Sequence, residues 1–257
     1  HDQIADEIKS IVGMVKHMYS VLDLKLSVDL SFRDDGDNYY GDIEVWNMAQ
    51  QTIEQAAKDE QLDYKIEIGE AAFYGPKIDI YISDALGRKW QCATVQLDFV
   101  QPERFELEYT DEKGEKSRPA MIHKAILGSI ERFLSVYIEH TAGNFPIWMA
   151  PEQIRIITVN QEAMTVNCAA EIEKAAKKLG LRVYVDNDNE SVGKKIRTSS
   201  QAKVPYTIVV GEKEVASGIV SPRLRHDIAV MSVQSELHYD QFLQTVANEA
   251  KSRVLKS

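Results

Sequence analysis

The sequence predicts two fold classes in one chain: an α+β part built on an antiparallel sheet, then an α/β domain with a mixed, mostly parallel sheet. Three observations carry this. Between Tyr64 and Phe99 the apolar residues repeat at every second position. Ile78, Ile80 and Ile82 alternate with Asp79 and Tyr81, and Asp84-Ala85-Leu86-Gly87 is a turn, so the stretch reads as a long hairpin. After Pro151, strand and helix patterns take turns, the order that parallel strands with crossover helices require. Between them, residues 143–151 carry two prolines and mark the change of pattern, which places the domains at residues 1–148 and 149–257.

The elements follow in order. Ile4, Ile8, Ile11, Val15, Met18 and Leu22 step by four and three, one face of an amphipathic helix. Leu26, Val28 and Leu30 alternate with polar residues and form a half-buried strand. A second helix is expected over residues 43–57, with Val45, Met48, Thr52, Ile53 and Ala56 inward. The hairpin follows, then a shorter one over residues 106–109 and 117–120 turning at Gly114, then a helix over residues 124–140. Beyond the boundary come strand 154–159, helix 165–178, strand 182–185, helix 192–202 and strand 207–210. Strand-like pieces at 219–224 and 228–233 precede a closing helix over 235–255.

Composition narrows the function classes. The 257 residues are 44% hydrophobic, enough for one large or two ordinary domains. No run of 18 apolar residues occurs, so no membrane-spanning helix is expected. The chain opens on His1-Asp2-Gln3 without a basic-then-apolar leader, and a non-Met start suggests a fragment or a processed product. Cys92 and Cys168 form neither a CxxC pair nor a disulfide framework, which fits a reducing compartment. A cytoplasmic protein is therefore expected, with an organellar form as the alternative. A net charge of −10 lowers the expectation of nucleic-acid binding, although local basic clusters decide contact.

Four groups of residues could carry chemistry. In the strand from Gln91 to Asp98, alternation puts Cys92, Thr94, Gln96 and Asp98 on one face and Gln91, Ala93, Val95 and Leu97 on the other. A face of small hydrogen-bonding residues can floor a polar pocket, although such alternation more often means a solvent-facing sheet. Gly75-Pro76 is a turn before Lys77, which could meet a phosphate or carboxylate as a point charge. Ser129 and Arg132 stand three apart on the expected helix, where Arg132 offers a donor fork to a phosphate and Gly128 lets a flat or bulky group approach. His123 could ligate zinc, but one histidine is a poor metal signal by itself. In the second domain, Gly193-Lys194-Lys195-Ile196-Arg197 opens a helix, and Arg223 and Arg225 sit near a strand end. Such groups suit phosphate contact, though a solvated charged face is the commoner meaning.

Four segments together resemble the threonyl-tRNA synthetase family: Gly69 to Asp79, Trp90 to Phe99, Pro119 to Phe133, and Glu190 to Glu214. Their order and spacing also match, and the third is similar to that family's class II motif three. The resemblance implies part of a class II antiparallel catalytic sheet followed by an anticodon-binding domain. It implies threonine adenylation by ATP with Mg2+ and transfer to tRNA(Thr), in a parent protein that is a homodimer. By the same resemblance Tyr74, Thr94 and Gln96 line the threonine pocket, and Lys77 lies near the activated carboxylate or phosphate. Gln91, Ser129 and Arg132 bind ATP, with Arg132 at the γ-phosphate, and His123 is a Zn2+ ligand. A metal demanding two donor atoms rejects valine, which lacks the hydroxyl, better than a pocket wall can. Glu214 and Arg223 match anticodon-reading positions, and Lys194 and Arg197 supply charge toward the tRNA.

The sequence also departs from the family. Motifs one and two, the editing domain and the other two zinc ligands, a cysteine and a histidine, have no counterpart in it. The basic loop after Arg225 is shortened, with His226 and Asp227 in place of more positive charge. The expectations are thus a threonine–tRNA ligase whose isolated fragment is inactive and binds zinc weakly, or else a non-catalytic tRNA-binding paralogue or truncated product. A prolyl- or glycyl-type relative is a third reading, against which the zinc histidine speaks. All of this requires His123, Tyr74 and Arg132 to converge in space.

Overall fold

The computed structural model describes residues 3–228 and 235–253. The chain divides into two compact units between His140 and Thr141, and each is taken by itself.

Unit one begins with helix α1 (Ile4–Val21), which buries Ile4, Ile8, Ile11, Val12, Val15 and Tyr19. The expected stripe holds except at Met18, which is 36% exposed. Tyr19 takes the inner position instead, because its ring fills the core while its hydroxyl donates to the Ile126 carbonyl at 2.8 Å. Strand β1 (Leu26–Phe32) leads to helix α2 (Ile43–Asp59). The buried face of α2 is Trp46, Ala49, Ile53, Ala56 and Ala57, so Met48 points outward. A large indole beside three alanines allows closer approach to α1 than a Met-centred face would.

Strands β2 (Tyr64–Ile68), β3 (Lys77–Ser83) and β4 (Lys89–Asp98) follow, then short helix α3 (Val100–Arg104) and the two-residue strands β5 (Tyr109–Thr110) and β6 (Lys116–Ser117). Strand β7 (Met121–Ala125) and helix α4 (Ile130–Thr141) close the unit. The main sheet has the order β2-β1-β3-β4-β7. It is antiparallel except that β2 lies parallel to β1, since α2 returns the chain to the end from which β1 started.

The helix expected from residue 124 is shorter than the pattern suggests. Residues 121–125 are strand, held in register by β4 from Thr94↔Ala125 to Asp98↔Met121. Gly128, at φ +63°, turns the chain into α4, and a Cβ there would lie 3.0 Å from the Cys92 carbonyl oxygen. Ser129 precedes the helix, where its hydroxyl accepts from the Arg132 amide at 3.1 Å as a cap would. Ser129 and Arg132 are thus the cap and the third residue of the first turn of α4, bonded to each other.

Unit two runs β8 (Ile154–Thr158), α5 (Ala163–Lys178), β9 (Val183–Asp186), α6 (Val192–Gln201) and β10 (Tyr206–Val210), within two residues of expectation. Then come α7 (Glu212–Ser217), β11 (Ile219–Val220), β12 (Arg223–Leu224), β13 (Leu237–His238) and α8 (Tyr239–Ser252). The sheet order is β12-β10-β8-β9, with β8 parallel to both β9 and β10 and only β12 antiparallel. Ile154, Ile156, Tyr206, Ile208 and Val210 pack against Ile172 of α5 and Phe242, Leu243 and Val246 of α8. Residues 219–224 split into two short strands with different partners. The strand expected at 228–233 falls almost wholly outside the described residues, as do positions 254–255 of the closing helix.

Candidate functional site

The main sheet of unit one has two unlike faces. Val28, Leu30, Ile78, Ile80, Ile82, Ala93, Val95 and Leu97 are buried. The opposite face carries Ser31 on β1, Lys77 and Asp79 on β3, Thr94, Gln96 and Asp98 on β4, and His123 on β7. Cross-strand registers set these side by side: Ser31↔Lys77, Asp29↔Asp79, Lys77↔Gln96, Asp79↔Thr94 and Gln96↔His123. Opposed positions bring side chains within about 5 Å at Cβ, which is contact distance for polar groups.

Two buried carboxylates organise this face, and the sequence reading assigned neither a role. Asp79, 1% exposed, receives Lys77 Nζ at 2.6 Å and Ser31 Oγ at 2.8 Å on one oxygen. Its other oxygen receives Thr94 Oγ1 at 3.0 Å and the Gln91 side-chain amide. Asp98 is fully buried. One of its oxygens caps α3 by accepting from the Val100 and Gln101 amides, and the other meets His123 Nε2 at 2.8 Å.

Gln91 was expected on the face opposite Thr94. The structure corrects this. The β3–β4 ladder pairs Ile80 with Ala93 but Tyr81 with Gln91, so Cys92 is an extra residue in a bulge. One added residue shifts the alternation by one, and Gln91 reaches the same carboxylate as Thr94.

Tyr74 joins from the loop before β3. Its hydroxyl donates to Gln96 Oε1 at 2.9 Å, and its ring meets the His123 imidazole edge-on at 5.7 Å between centroids. Gly75 fixes this loop against β4, because a Cβ there would fall 1.7 Å from the Leu97 carbonyl oxygen. No residue but glycine fits without backbone movement. Arg132 approaches from the other end, donating to the Gln91 carbonyl oxygen at 3.0 Å, while Ser129 lies exposed beside it. Two groups of contacts result, Tyr74 with Gln96 and His123, and Lys77, Thr94 and Gln91 around Asp79 with Arg132 on the Gln91 carbonyl, and the Lys77↔Gln96 pairing of β3 with β4 sets the two side by side.

As a metal centre, the chain supplies little. Among the described residues no three His, Cys, Asp or Glu side chains gather around a common point. His123 offers one nitrogen, its other being engaged by Asp98, an arrangement that orients metal-binding histidines. Cys92 is buried at the bulge, beside Gly128. The described residues do not complete a zinc site.

Unit two brings its expected residues together less closely. Arg223 pairs with Thr207 near the start of β10, whereas Glu214 lies past its end on α7 and bonds back to the Gly211 amide at 2.9 Å. Lys194 is exposed and paired with Glu190 at 2.5 Å, and Arg197 is exposed on α6. Arg223 borders a cavity of about 400 Å³ with Ile196, Ser200, Lys203 and His226. Arg225 is not a free basic group. Its guanidinium holds Asp227 and the carbonyls of Lys203 and Phe145, and it is 7% exposed. Burial alone would raise the Asp227 carboxyl, but the guanidinium outweighs it and holds the group below its usual range.

Residues 1–141 match the tRNA synthetase class II core domain (G, H, P, S and T), and residues 153–249 match an anticodon binding domain. A threonine–tRNA ligase of Geobacter sp. (strain M21) is 44% identical over 251 residues, covering 98% of this chain and 38% of the relative. One from Symbiobacterium thermophilum is 45% identical over 87% of this chain and 34% of its own length. The chain therefore spans little more than a third of these relatives. Among solved structures, the RNA binding domain of threonyl-tRNA synthetase from Cryptosporidium parvum Iowa II superposes with a TM-score of 0.86 at 34% identity, covering all of this chain and 62% of that one. Prolyl-tRNA synthetase from Cryptosporidium parvum, at 20% identity and a TM-score of 0.60, covers 98% of this chain and 50% of its own and shares the fold.

Proposed function

Because the chain belongs to the class II tRNA synthetase core family of G, H, P, S and T enzymes and carries the anticodon-binding domain as well, we propose that it is part of a threonine–tRNA ligase. The observation that supports this reading is that two contact groups, Tyr74–Gln96–His123 and Lys77–Asp79–Thr94–Gln91–Arg132, lie side by side on the polar face through the Lys77↔Gln96 strand pairing. In the activation step a threonine carboxylate attacks the α-phosphorus of ATP and pyrophosphate leaves. Little covalent help is required from the protein, so positioning and charge stabilisation dominate. Lys77 and Arg132 supply positive charge for carboxylate and phosphates. Tyr74, Thr94 and Gln96 hold the amino acid, and Gln91 and Ser129 lie on the ATP side with Mg2+ accompanying the nucleotide. A zinc ion would take His123 as one ligand and its remaining ligands from residues outside this chain. On the second domain, Glu214, Arg223, Lys194 and Arg197 contact the anticodon arm of tRNA(Thr). Homodimeric assembly and a cytoplasmic location complete the proposal.

The test is threonine-dependent exchange of pyrophosphate into ATP by the complete protein that contains this chain, with serine, valine, proline and glycine as competitors. Exchange with threonine is expected, and exchange with proline or glycine instead would overturn the substrate assignment. The 257-residue chain alone should show no exchange. Turnover by it would contradict the need for residues beyond it.

A further inference from the structure

We propose that Asp79 sets the hydrogen-bond polarity of the polar face, leaving Thr94 and Gln91 as acceptors toward a ligand's ammonium or hydroxyl groups. Paired with the Lys77 ammonium at 2.6 Å, Asp79 is a carboxylate, and a carboxylate only accepts. Every group bonded to it must donate. Thr94 has one hydroxyl proton and directs it to Asp79 at 3.0 Å, so what it offers the pocket is lone pairs. Gln91 directs its amide nitrogen to the same oxygen, which turns its own carbonyl oxygen away from the carboxylate. The other Asp79 oxygen takes Lys77 and Ser31, so four donors surround two oxygens and both are saturated.

The same carboxylate therefore does two things to opposite ends of a ligand. It holds Lys77 in place for an anion, and it makes Thr94 and Gln91 present acceptors to a donor. At Lys77 and Thr94 an amino acid, anionic at one end and carrying ammonium and hydroxyl donors at the other, fits that division, while Gln91 turns the same acceptor polarity toward the nucleotide side. This last step rests on the function proposed above, whereas the polarity itself does not.

Asp79→Asn tests it with nearly unchanged shape. Lys77 can only donate, so the new amide must keep its oxygen toward Lys77 and Ser31 and turn its NH2 toward Thr94 and Gln91. Thr94 would then accept from residue 79 and aim its proton into the pocket, and the Gln91 amide would reverse. In the complete protein the KM for threonine should rise about tenfold or more, the scale of one charge-assisted hydrogen bond, with kcat within about threefold. Asp79→Glu, still acceptor-only, should bring KM back to within about threefold. In the 257-residue chain, nuclear magnetic resonance should show the Gln91 side-chain NH2 protons exchanging with solvent about tenfold faster in Asp79→Asn than in the wild type.

If Asp79→Asn only lowers the melting temperature while KM and Gln91 exchange stay put, Asp79 is a structural residue and the proposal is wrong. If Asp79→Glu fails as badly as Asp79→Asn in both readouts, charge and valence are not the cause and the proposal is equally wrong. Should the wild-type protein not activate threonine at all, the functional reading fails, while the exchange measurement still decides the role of Asp79.

Discussion

The two units handle their polar residues differently. In unit one, two carboxylates lie under the surface and draw together residues from four strands: Ser31, Lys77, Thr94 and Gln91 around Asp79, and His123 beside Asp98. In unit two the most deeply buried charged group among the described residues is a cation, Lys195, 3% exposed, bonded to the carbonyls of Thr158 and Asp186 at 3.0 and 3.1 Å and 3.8 Å from the Asp186 carboxylate. Thr158 and Asp186 end β8 and β9, so Lys195 ties strand ends together and offers no proton acceptor to its neighbours. Lys194 and Arg197 on the same helix stay on the surface. A buried acceptor gathers donor side chains into a preorganised pocket. A buried donor that spends its protons on main-chain carbonyls stiffens the frame and leaves the surface cations able to follow a large flexible partner. A small substrate suits the first arrangement and a nucleic acid the second.

The largest effect expected from this contrast is at a glycine. Gly75→Ala places a Cβ 1.7 Å from the Leu97 carbonyl oxygen, so the Tyr74 loop must leave β4. A destabilisation of about 3–5 kcal/mol should follow, read by chemical denaturation. Gly193→Ala in α6 meets nothing within 4 Å and should be neutral or stabilise by up to about 1 kcal/mol. Equal costs at the two positions would show that the loop is not seated as described.

Second is Asp98→Ala. It removes the cap on α3 and the partner of His123 from a fully buried position. Several unsatisfied groups should cost about 2–4 kcal/mol. The His123 ring should also lose its fixed orientation, seen as averaging of its imidazole resonances. A still-ordered ring would assign that order to the edge-on Tyr74 contact instead.

How far the sequence showed this depends on whether a signal is local. The alternation of Ile78, Ile80 and Ile82 and the strand–helix succession of unit two are local, and the elements follow within a few residues. Gln91 was misplaced because the bulge at Cys92 is a matter of pairing between strands, and nothing in a single strand marks it. Residues 124–128 satisfy a helical period, and only the β4 ladder converts Lys124 and Ala125 to strand. Asp79, standing between two isoleucines, reads as the solvent side of a strand. Its burial comes from Ser31, Gln91 and Thr94, which lie 12 to 48 positions away. The recognisable motifs pick out the candidate residues, while the carboxylates that bond to several of them needed the third dimension.

Third, Lys195→Met probes the frame of unit two. Two strand-end carbonyls lose their donor, and a cost of about 1–3 kcal/mol is expected. Lys194→Ala, one residue away and paired only on the surface with Glu190, should change stability by at most about 0.5 kcal/mol. The reverse holds for RNA: Lys194→Ala should weaken tRNA binding and reduce its salt dependence, whereas Lys195→Met should lower stability first. Salt-dependent binding lost equally in both would erase the distinction between frame and surface cations.

The smallest effect depends on pH. Asp84, in the turn between β3 and β4, accepts from the Trp90 indole at 2.9 Å, from the Arg88 and Leu86 amides, and from the Arg88 guanidinium. These bonds, the indole foremost, outweigh burial and hold its carboxyl down to about 2 from an ordinary 3.8. Because the folded value is the lower one, the unfolded chain binds the proton first as pH falls. The stabilisation is therefore complete above pH 3.8 and fades as pH drops toward 2. Asp84→Asn keeps the shape but lacks the charge, so it should be less stable than wild type near neutrality, and the difference should shrink between pH 4 and pH 2. Trp90 fluorescence during denaturation at each pH reads this at the turn itself, since its indole is one of the donors. A difference that stays constant down to pH 2 would mean that Asp84 acts through shape alone, without ionisation. The turn would then need no buried charge, and the contrast between the two units would reduce to the polar face itself.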